Sequence, residues 1–116
     1  MEVKEFLAQN LENMKKDLAS IVAFNSVNSD DELPFGSNNR KVLDVALKLM
    51  EEKGLNATNL DYYCGFGETG KGDKTIGILA HLDIVPAGDG WDTNPFEMVE
   101  KDFAGPARDV FRIYFA

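Results

Sequence analysis

The 116-residue chain has little of several features that would restrict its function. It has one cysteine, Cys64, which has no second cysteine to pair with, so nothing indicates an oxidising compartment. It has no run of 18 apolar residues that would span a membrane, and no apolar signal segment follows the charged N-terminus. We therefore expect a cytoplasmic protein that does not cross a membrane.

Positive charge is also scarce, because 12 Lys and Arg residues against 20 Asp and Glu residues leave a net charge of −8. Such a chain repels phosphate backbones and anionic lipid surfaces, so neither nucleic acid nor a membrane is an expected partner. The apolar content of 44% and the charged content of 28% are ordinary for a globular protein. A chain of this length suits one domain.

Hydrophobic periodicity predicts a first helix over residues 3–24, where apolar residues recur at three- and four-residue steps. We expect this apolar face to pack on a core. The polar segment 25–39 is rich in turn-forming residues and is predicted to be a loop. Its length exceeds that of a plain connection, which favours a functional role.

A second helix is predicted over residues 40–53, after three candidate N-cap residues at 37–39. Gly54 suits a left-handed C-terminal position. The apolar face of this helix is wide, so we expect it to be covered on more than one side.

Two strands are predicted to follow the helices. Residues 59–66 are rich in aromatic side chains, which favour strands, and Cys64 is expected to be buried there. Residues 75–80 form a short apolar run that is typical of a strand buried on both faces. The glycine-rich segment 65–73 is predicted to turn the chain between them. The order of the predicted helices and strands indicates an α/β class, with N-terminal helices followed by a mixed sheet.

His81 is the only histidine of the chain, and it directly follows the predicted strand 75–80. In α/β sheets, ligands bind outside the carboxyl ends of strands. Because side chains alternate along an extended chain, His81 and Asp83 are expected to point to the same side. The Asp83 carboxylate can then accept one imidazole N–H and aim the other ring nitrogen at a metal ion. An ordinary hydrogen-bonded pair is the alternative, because a zinc site needs three or four ligands.

Two other site types fit the residues poorly. Gly65, Gly70 and Lys71 match part of a phosphate-binding loop, but Gly72 stands where Ser or Thr is required. The acidic residues after position 88 lack the spacing of a calcium loop, so residues 92–95 are predicted to be a turn.

The residues around the His-x-Asp pair form a longer and more specific pattern. A hydrophobic strand, His-x-Asp, a Val-Pro pair, Gly-x-Gly-Trp and Asn-Pro-Phe follow one another within residues 78–96. This pattern resembles a stretch of the bacterial PepV-type dipeptidases, and the segments 34–36 and 61–63 are similar to them as well. Those dipeptidases belong to the zinc peptidase family that also includes carnosinases, succinyl-diaminopimelate desuccinylases and glutamate carboxypeptidases.

The resemblance implies that residues 1–102 are the N-terminal part of a zinc-peptidase catalytic domain that holds two zinc ions. It implies that His81 binds one zinc ion and that Asp83 is an accessory catalytic residue that orients His81. The implied substrate is a dipeptide or a small amide, and zinc is the only cofactor implied.

The resemblance ends after Asp102, and residues 103–116 are a divergent tail. The family continues with an Asp-Asp-Lys-Gly motif, which supplies a bridging aspartate, and with a glutamate general base. The Asp-Asp-Lys-Gly motif is absent here. We therefore expect a frameshifted or truncated copy of a longer enzyme, without most metal ligands and inactive alone. The alternative is a non-catalytic interaction module that pairs an open sheet edge with another chain or with a second copy.

Overall fold

The computed structural model describes residues 1–100, in which two helices precede two strands. Helix α1 spans Val3–Val22 and helix α2 spans Ser37–Glu52, while strands β1 (Asn56–Leu60) and β2 (Cys64–Glu68) form an antiparallel hairpin. The order confirms the predicted α/β class. No helix within residues 1–100 is both long and apolar enough to cross a membrane. The predicted tail at 103–116 lies outside the described residues.

The core lies between α2 and the hairpin. Val42, Ala46 and Leu47 are the buried apolar residues among residues 1–100, and all three belong to α2. On the hairpin side, a Cβ atom added at Gly65 would lie 2.8 Å from a Leu47 methyl carbon, and one added at Gly67 would lie 2.9 Å from a methionine sulfur of α2. These two glycines therefore let the helix and the hairpin approach closely.

The hairpin turns earlier than the sequence predicts. Asp61 and Tyr62 both adopt positive φ angles, 53° and 62°, and the Tyr63 N–H donates to the Leu60 carbonyl at 3.0 Å. Two central residues with positive φ match the turn whose twist suits a β-hairpin. The prediction of one strand over 59–66 and a turn over 65–73 was wrong, because the Asn59 side chain accepts the Tyr62 N–H at 2.8 Å and supports a turn without glycine.

Helix α2 begins three residues before the predicted start, directly after Gly36, whose φ of 106° suits glycine. The Asp31 carboxylate lies beside this first turn and accepts hydrogen bonds from the Ser29 hydroxyl and from the Ser37 hydroxyl and N–H, at 2.5–2.9 Å. These hydrogen bonds, of which the one from the Ser29 hydroxyl has the largest effect, hold the pKa of Asp31 well below its usual range. Gly54 has a φ of 84°, as predicted for the C-terminal position of α2.

Helix α1 has the predicted length within two residues, but its apolar face is not buried. Side chains along that face are 45–53% exposed; they are Phe6, Leu7, Leu11, Met14 and Leu18. The prediction that this face packs on a core is therefore wrong within residues 1–100. Ion pairs tether the helix instead: Asp17 binds Lys53 at 2.5 Å, and Lys15 binds Glu100 at 2.7 Å, with Glu100 the main cause of the raised pKa of Lys15.

The predicted strand at 75–80 does not form, and its residues lie exposed. Ile76, Ile78 and Leu79 are 93–99% exposed, so burial on both faces is also wrong for this part of the chain. A strand needs a neighbouring backbone to bond with, and none within residues 1–100 lies along this segment. Cys64, predicted to be buried, is exposed as well, because it lies on the outer face of β2.

We expect Leu47→Ala to lower the free energy of unfolding by about 2 kcal/mol or more, because it leaves a cavity between α2 and the hairpin. The matched control is Leu11→Ala in α1, where the side chain is 48% exposed and truncation should cost less than about 0.5 kcal/mol. Urea denaturation followed by far-UV circular dichroism compares the two variants. Equal losses would contradict a core confined to α2 and the hairpin.

Candidate functional site

The segment that carries His81 and Asp83 is anchored to the loop between α1 and α2. The Ser26 hydroxyl donates to the Leu82 carbonyl at 2.7 Å, and the Ile84 N–H donates to the Ser26 carbonyl at 3.3 Å. Val27 and Ile84 form an isolated parallel bridge at the same place. Pairing of both directions therefore occurs, as in a mixed sheet: β1 and β2 pair antiparallel, and Val27 and Ile84 pair in parallel. The two pairings lie in separate places and do not form one sheet.

His81 and Asp83 point to the same side of this segment, as the sequence predicts. Burial alternates along it: Leu82 and Ile84 are half-buried against the loop, whereas His81 and Asp83 face solvent with side chains 80% and 68% exposed. This alternation is that of an extended chain with one covered face. The pair therefore lies together on an open surface.

The two side chains also contact each other through one ring nitrogen. Nδ1 of His81 lies 2.9 Å from the Asp83 carbonyl oxygen and 3.3 Å from a carboxylate oxygen of the same residue. Both oxygens only accept hydrogen bonds, so Nδ1 carries the proton in this geometry. In a neutral imidazole Nε2 then holds the lone pair, which is the form that a metal ion binds.

The described residues bring one histidine–carboxylate pair together and do not form a complete metal site. Within residues 1–100, no group of three or more His, Cys, Asp and Glu side chains is placed to hold a metal ion. Catalytic zinc sites use three protein ligands and keep one open position. The donor chemistry of His81 fits zinc, but this part of the chain does not fit a catalytic zinc centre by itself.

The segment after the pair is folded by its own polar groups. The Trp91 indole N–H donates to the Ala87 carbonyl at 2.9 Å, and the Asn94 side chain accepts the Phe96 N–H at 2.9 Å. Together with the hydrogen bond from the Glu97 N–H to the Asn94 carbonyl at 3.1 Å, the latter bond forms a turn at residues 94–97, two residues after the turn predicted at 92–95. These contacts give residues 87–96 a local structural role.

Sequence reasoning did not identify Ser26 as part of the site. It is the buried polar residue among residues 1–100, at 2% exposure, and it contacts the main chain on both sides of Asp83. A serine in a polar loop has no sequence pattern that distinguishes it from its neighbours. Only the pairing of two segments that are distant in the sequence reveals its place.

The chain is similar to proteins of Staphylococcus aureus that carry the name "Putative dipeptidase". Those of strains USA300 and NCTC 8325 and of the bovine strain RF122 are each 39% identical to it over 109 residues, which cover 90% of this chain. The chain spans 23% of the length of these relatives. No protein-family model matches the chain. The similarity supports a dipeptidase-like peptidase family, and it does not single out the PepV type.

We expect neutral His81 to carry its proton on Nδ1, because both oxygen atoms near that nitrogen are acceptors. Nitrogen-15 NMR of the imidazole, with the metal-free chain at about pH 8.5, reports the tautomer. Asp83→Ala should reduce the Nδ1–H population, since it removes the carboxylate. Asp73→Ala, which removes an exposed carboxylate elsewhere, should not change it. A predominant Nε2–H tautomer in the unmodified chain would contradict the pairing.

Proposed function

We propose that this chain supplies the N-terminal part of the catalytic domain of a zinc-dependent dipeptidase of the PepV type. Its substrate would be a dipeptide or a related small amide. The observation that supports this reaction class is the similarity to the Staphylococcus aureus putative dipeptidases over 90% of the chain. The single cysteine is in keeping with a cytoplasmic location, which we propose as well.

In this proposal His81 is a zinc ligand and Asp83 is its orienting partner. The Asp83 contact at Nδ1 leaves Nε2 as the nitrogen that would bind the metal, and the exposure of His81 leaves room for further ligands. A carboxylate in this position also raises the basicity of the imidazole and fixes the plane of its ring. Both effects strengthen a metal–nitrogen bond.

Two zinc ions, when bound, would polarise the scissile carbonyl and lower the pKa of the attacking water. The described residues supply one ligand to such a centre, so further ligands must be added for catalysis. We therefore propose that residues 1–100 alone hydrolyse no dipeptide. Activity is expected only where ligands from outside these residues complete the metal centre.

A chimera provides the direct test. The matched stretch of a Staphylococcus aureus putative dipeptidase is replaced by the corresponding residues of this chain, and dipeptide hydrolysis and zinc content are measured. We expect the chimera to be active and His81→Ala to lose one zinc ion and nearly all activity. Asp83→Asn should weaken zinc binding by roughly 10- to 100-fold, because it removes a charged partner of the ligand.

The matched control is Asp73→Asn, an exposed residue of the preceding segment, which should leave zinc content and activity unchanged. Full zinc content in the His81→Ala chimera would exclude His81 as a ligand. An active chimera that keeps its rate without any metal would exclude the zinc-dependent reaction.

A second candidate is a non-catalytic module that associates with another copy of itself. The exposed apolar run at 75–80 favours it, since an extended segment with Ile76, Ile78 and Leu79 in solvent is suited to pairing along an edge. The net charge of −8 opposes association, so the apolar contact would have to outweigh this repulsion.

Self-association is tested by light scattering coupled to gel filtration over a range of concentrations. If the run at 75–80 forms the contact, the unmodified chain is a dimer or larger, and Ile78→Lys restores a monomer because it places a charge in the apolar interface. Thr69→Lys is the matched control, as it adds the same charge at an exposed position outside the run. A monomer at every concentration would exclude this candidate.

A further inference from the structure

We infer that Ser26 is a positioning residue for the His81–Asp83 pair. Its hydroxyl and its carbonyl hold the segment that carries both side chains, so that imidazole and carboxylate meet on one exposed face. The inference rests on the proposed function, in which the two side chains act together toward a metal ion. It adds a residue from a different part of the chain to that unit.

The two hydrogen bonds of Ser26 bracket Asp83. One engages the carbonyl of Leu82, the residue before it, and the other engages the N–H of Ile84, the residue after it. Because the main chain is held at both neighbours, Asp83 cannot rotate about its backbone without breaking one bond. Its carboxylate and its carbonyl are thereby kept near Nδ1 of His81.

The hydroxyl of Ser26 does more than fill space. At 2% exposure, it would be unpaired without the Leu82 carbonyl, and a buried unpaired hydroxyl is strongly disfavoured. Together with the bond from the Ile84 N–H, this bond fixes the register of this segment along the loop, and in that register the Leu82 side chain is half-buried against the loop. In an extended chain, that register sends the neighbouring side chains, His81 and Asp83, to the opposite face.

The loop that carries Ser26 is itself fixed by the second helix. Asn38 donates through its side-chain amide to the Asn25 carbonyl at 3.1 Å, and Asn39 donates to the Val27 carbonyl at 3.2 Å. These two bonds flank Ser26 and tie it to the first turn of α2. Through Ser26, the position of the candidate ligand pair therefore depends on the position of α2.

The experiment uses the metal-free 116-residue chain and two NMR readouts. The first is the His81 tautomer, measured at about pH 8.5. The second is amide hydrogen exchange at Ile84, measured separately near neutral pH. In Ser26→Ala, we expect the Nδ1–H preference of His81 to be lost and Ile84 exchange to become about fivefold faster or more, because one of two anchoring bonds is gone.

The matched control is Ser29→Ala, which removes another hydroxyl of the same loop, one that binds Asp31 rather than the segment at 81–84. It should leave both readouts unchanged. Ser26→Thr keeps a hydroxyl donor and should restore both. A role in packing alone predicts a different result: Ser26→Ala would lower stability while the His81 tautomer stayed as it was, and that result would overturn the inference.

If Ser26→Ala does not fold, as judged by circular dichroism, the unmodified chain and Ser26→Thr still decide the matter. Ile84 exchange as fast as that of the exposed Val85 in the unmodified chain would overturn the inference, and clear protection would support it. Failure of this test leaves zinc binding by His81 untouched. Conversely, full zinc content in the His81→Ala chimera overturns the proposed function but not the anchoring by Ser26.

Discussion

The hydrogen bond from the Ser26 hydroxyl to the Leu82 carbonyl joins segments that lie 56 residues apart in the sequence. The chain beyond β2 forms no helix and no strand of its own up to residue 100, so its position relative to the helices depends on contacts of this kind. A buried hydroxyl–carbonyl bond suits that task, because both groups lose water on burial and are strongly disfavoured apart. The ion pair between Lys15 and Glu100 lies at the surface, where such pairs add little. The position of the candidate site thus depends on this buried polar contact together with the half-burial of Leu82 and Ile84 against the loop.

Much of the helical structure follows from the sequence, and the reasons for the errors are local. Helix periodicity defines α1 to within two residues and α2 to within three, because both helices carry a regular apolar pattern. The hairpin was misplaced because the turn contains no glycine: aspartate tolerates positive φ, but a tyrosine such as Tyr62 at positive φ is not expected from its residue type. The run at 75–80 has the composition of a buried strand. Composition indicates that these residues favour burial, but it does not indicate whether a neighbouring strand is there to pair with. Strand pairing depends on the other strands of the sheet, so it cannot be derived from the sequence of one segment.

The candidate site was predictable in one respect and hidden in another. The two-residue spacing of His81 and Asp83 is enough to place them on one face of an extended chain, and the structure has them there even though the strand expected before them does not form. Their common orientation therefore needs only local extension, whereas their location needs a partner segment. That partner, Ser26 with Val27, carries no recognisable motif. Spacing within a segment can be derived from a sequence alone, but contacts between distant segments require the fold.

In the proposed zinc centre, a histidine and a carboxylate that contact each other before the metal ion binds would affect the free energy of binding. Ordering a side chain on binding costs free energy, roughly 0.5–1.5 kcal/mol for each flexible group, and this cost reduces affinity. Where Asp83 already selects the Nδ1–H tautomer, the Nε2 lone pair of His81 is available without a proton shift. This lower entropy cost of binding also requires that the main chain of the pair is held in place. If the segment were flexible, its backbone would lose conformational entropy when the metal ion binds. A single imidazole remains a weak site whatever its orientation. In the proposed zinc centre, preorganisation of this pair would therefore matter most once further ligands join it, and the anchoring of residues 82–84 would keep the pair in place for them.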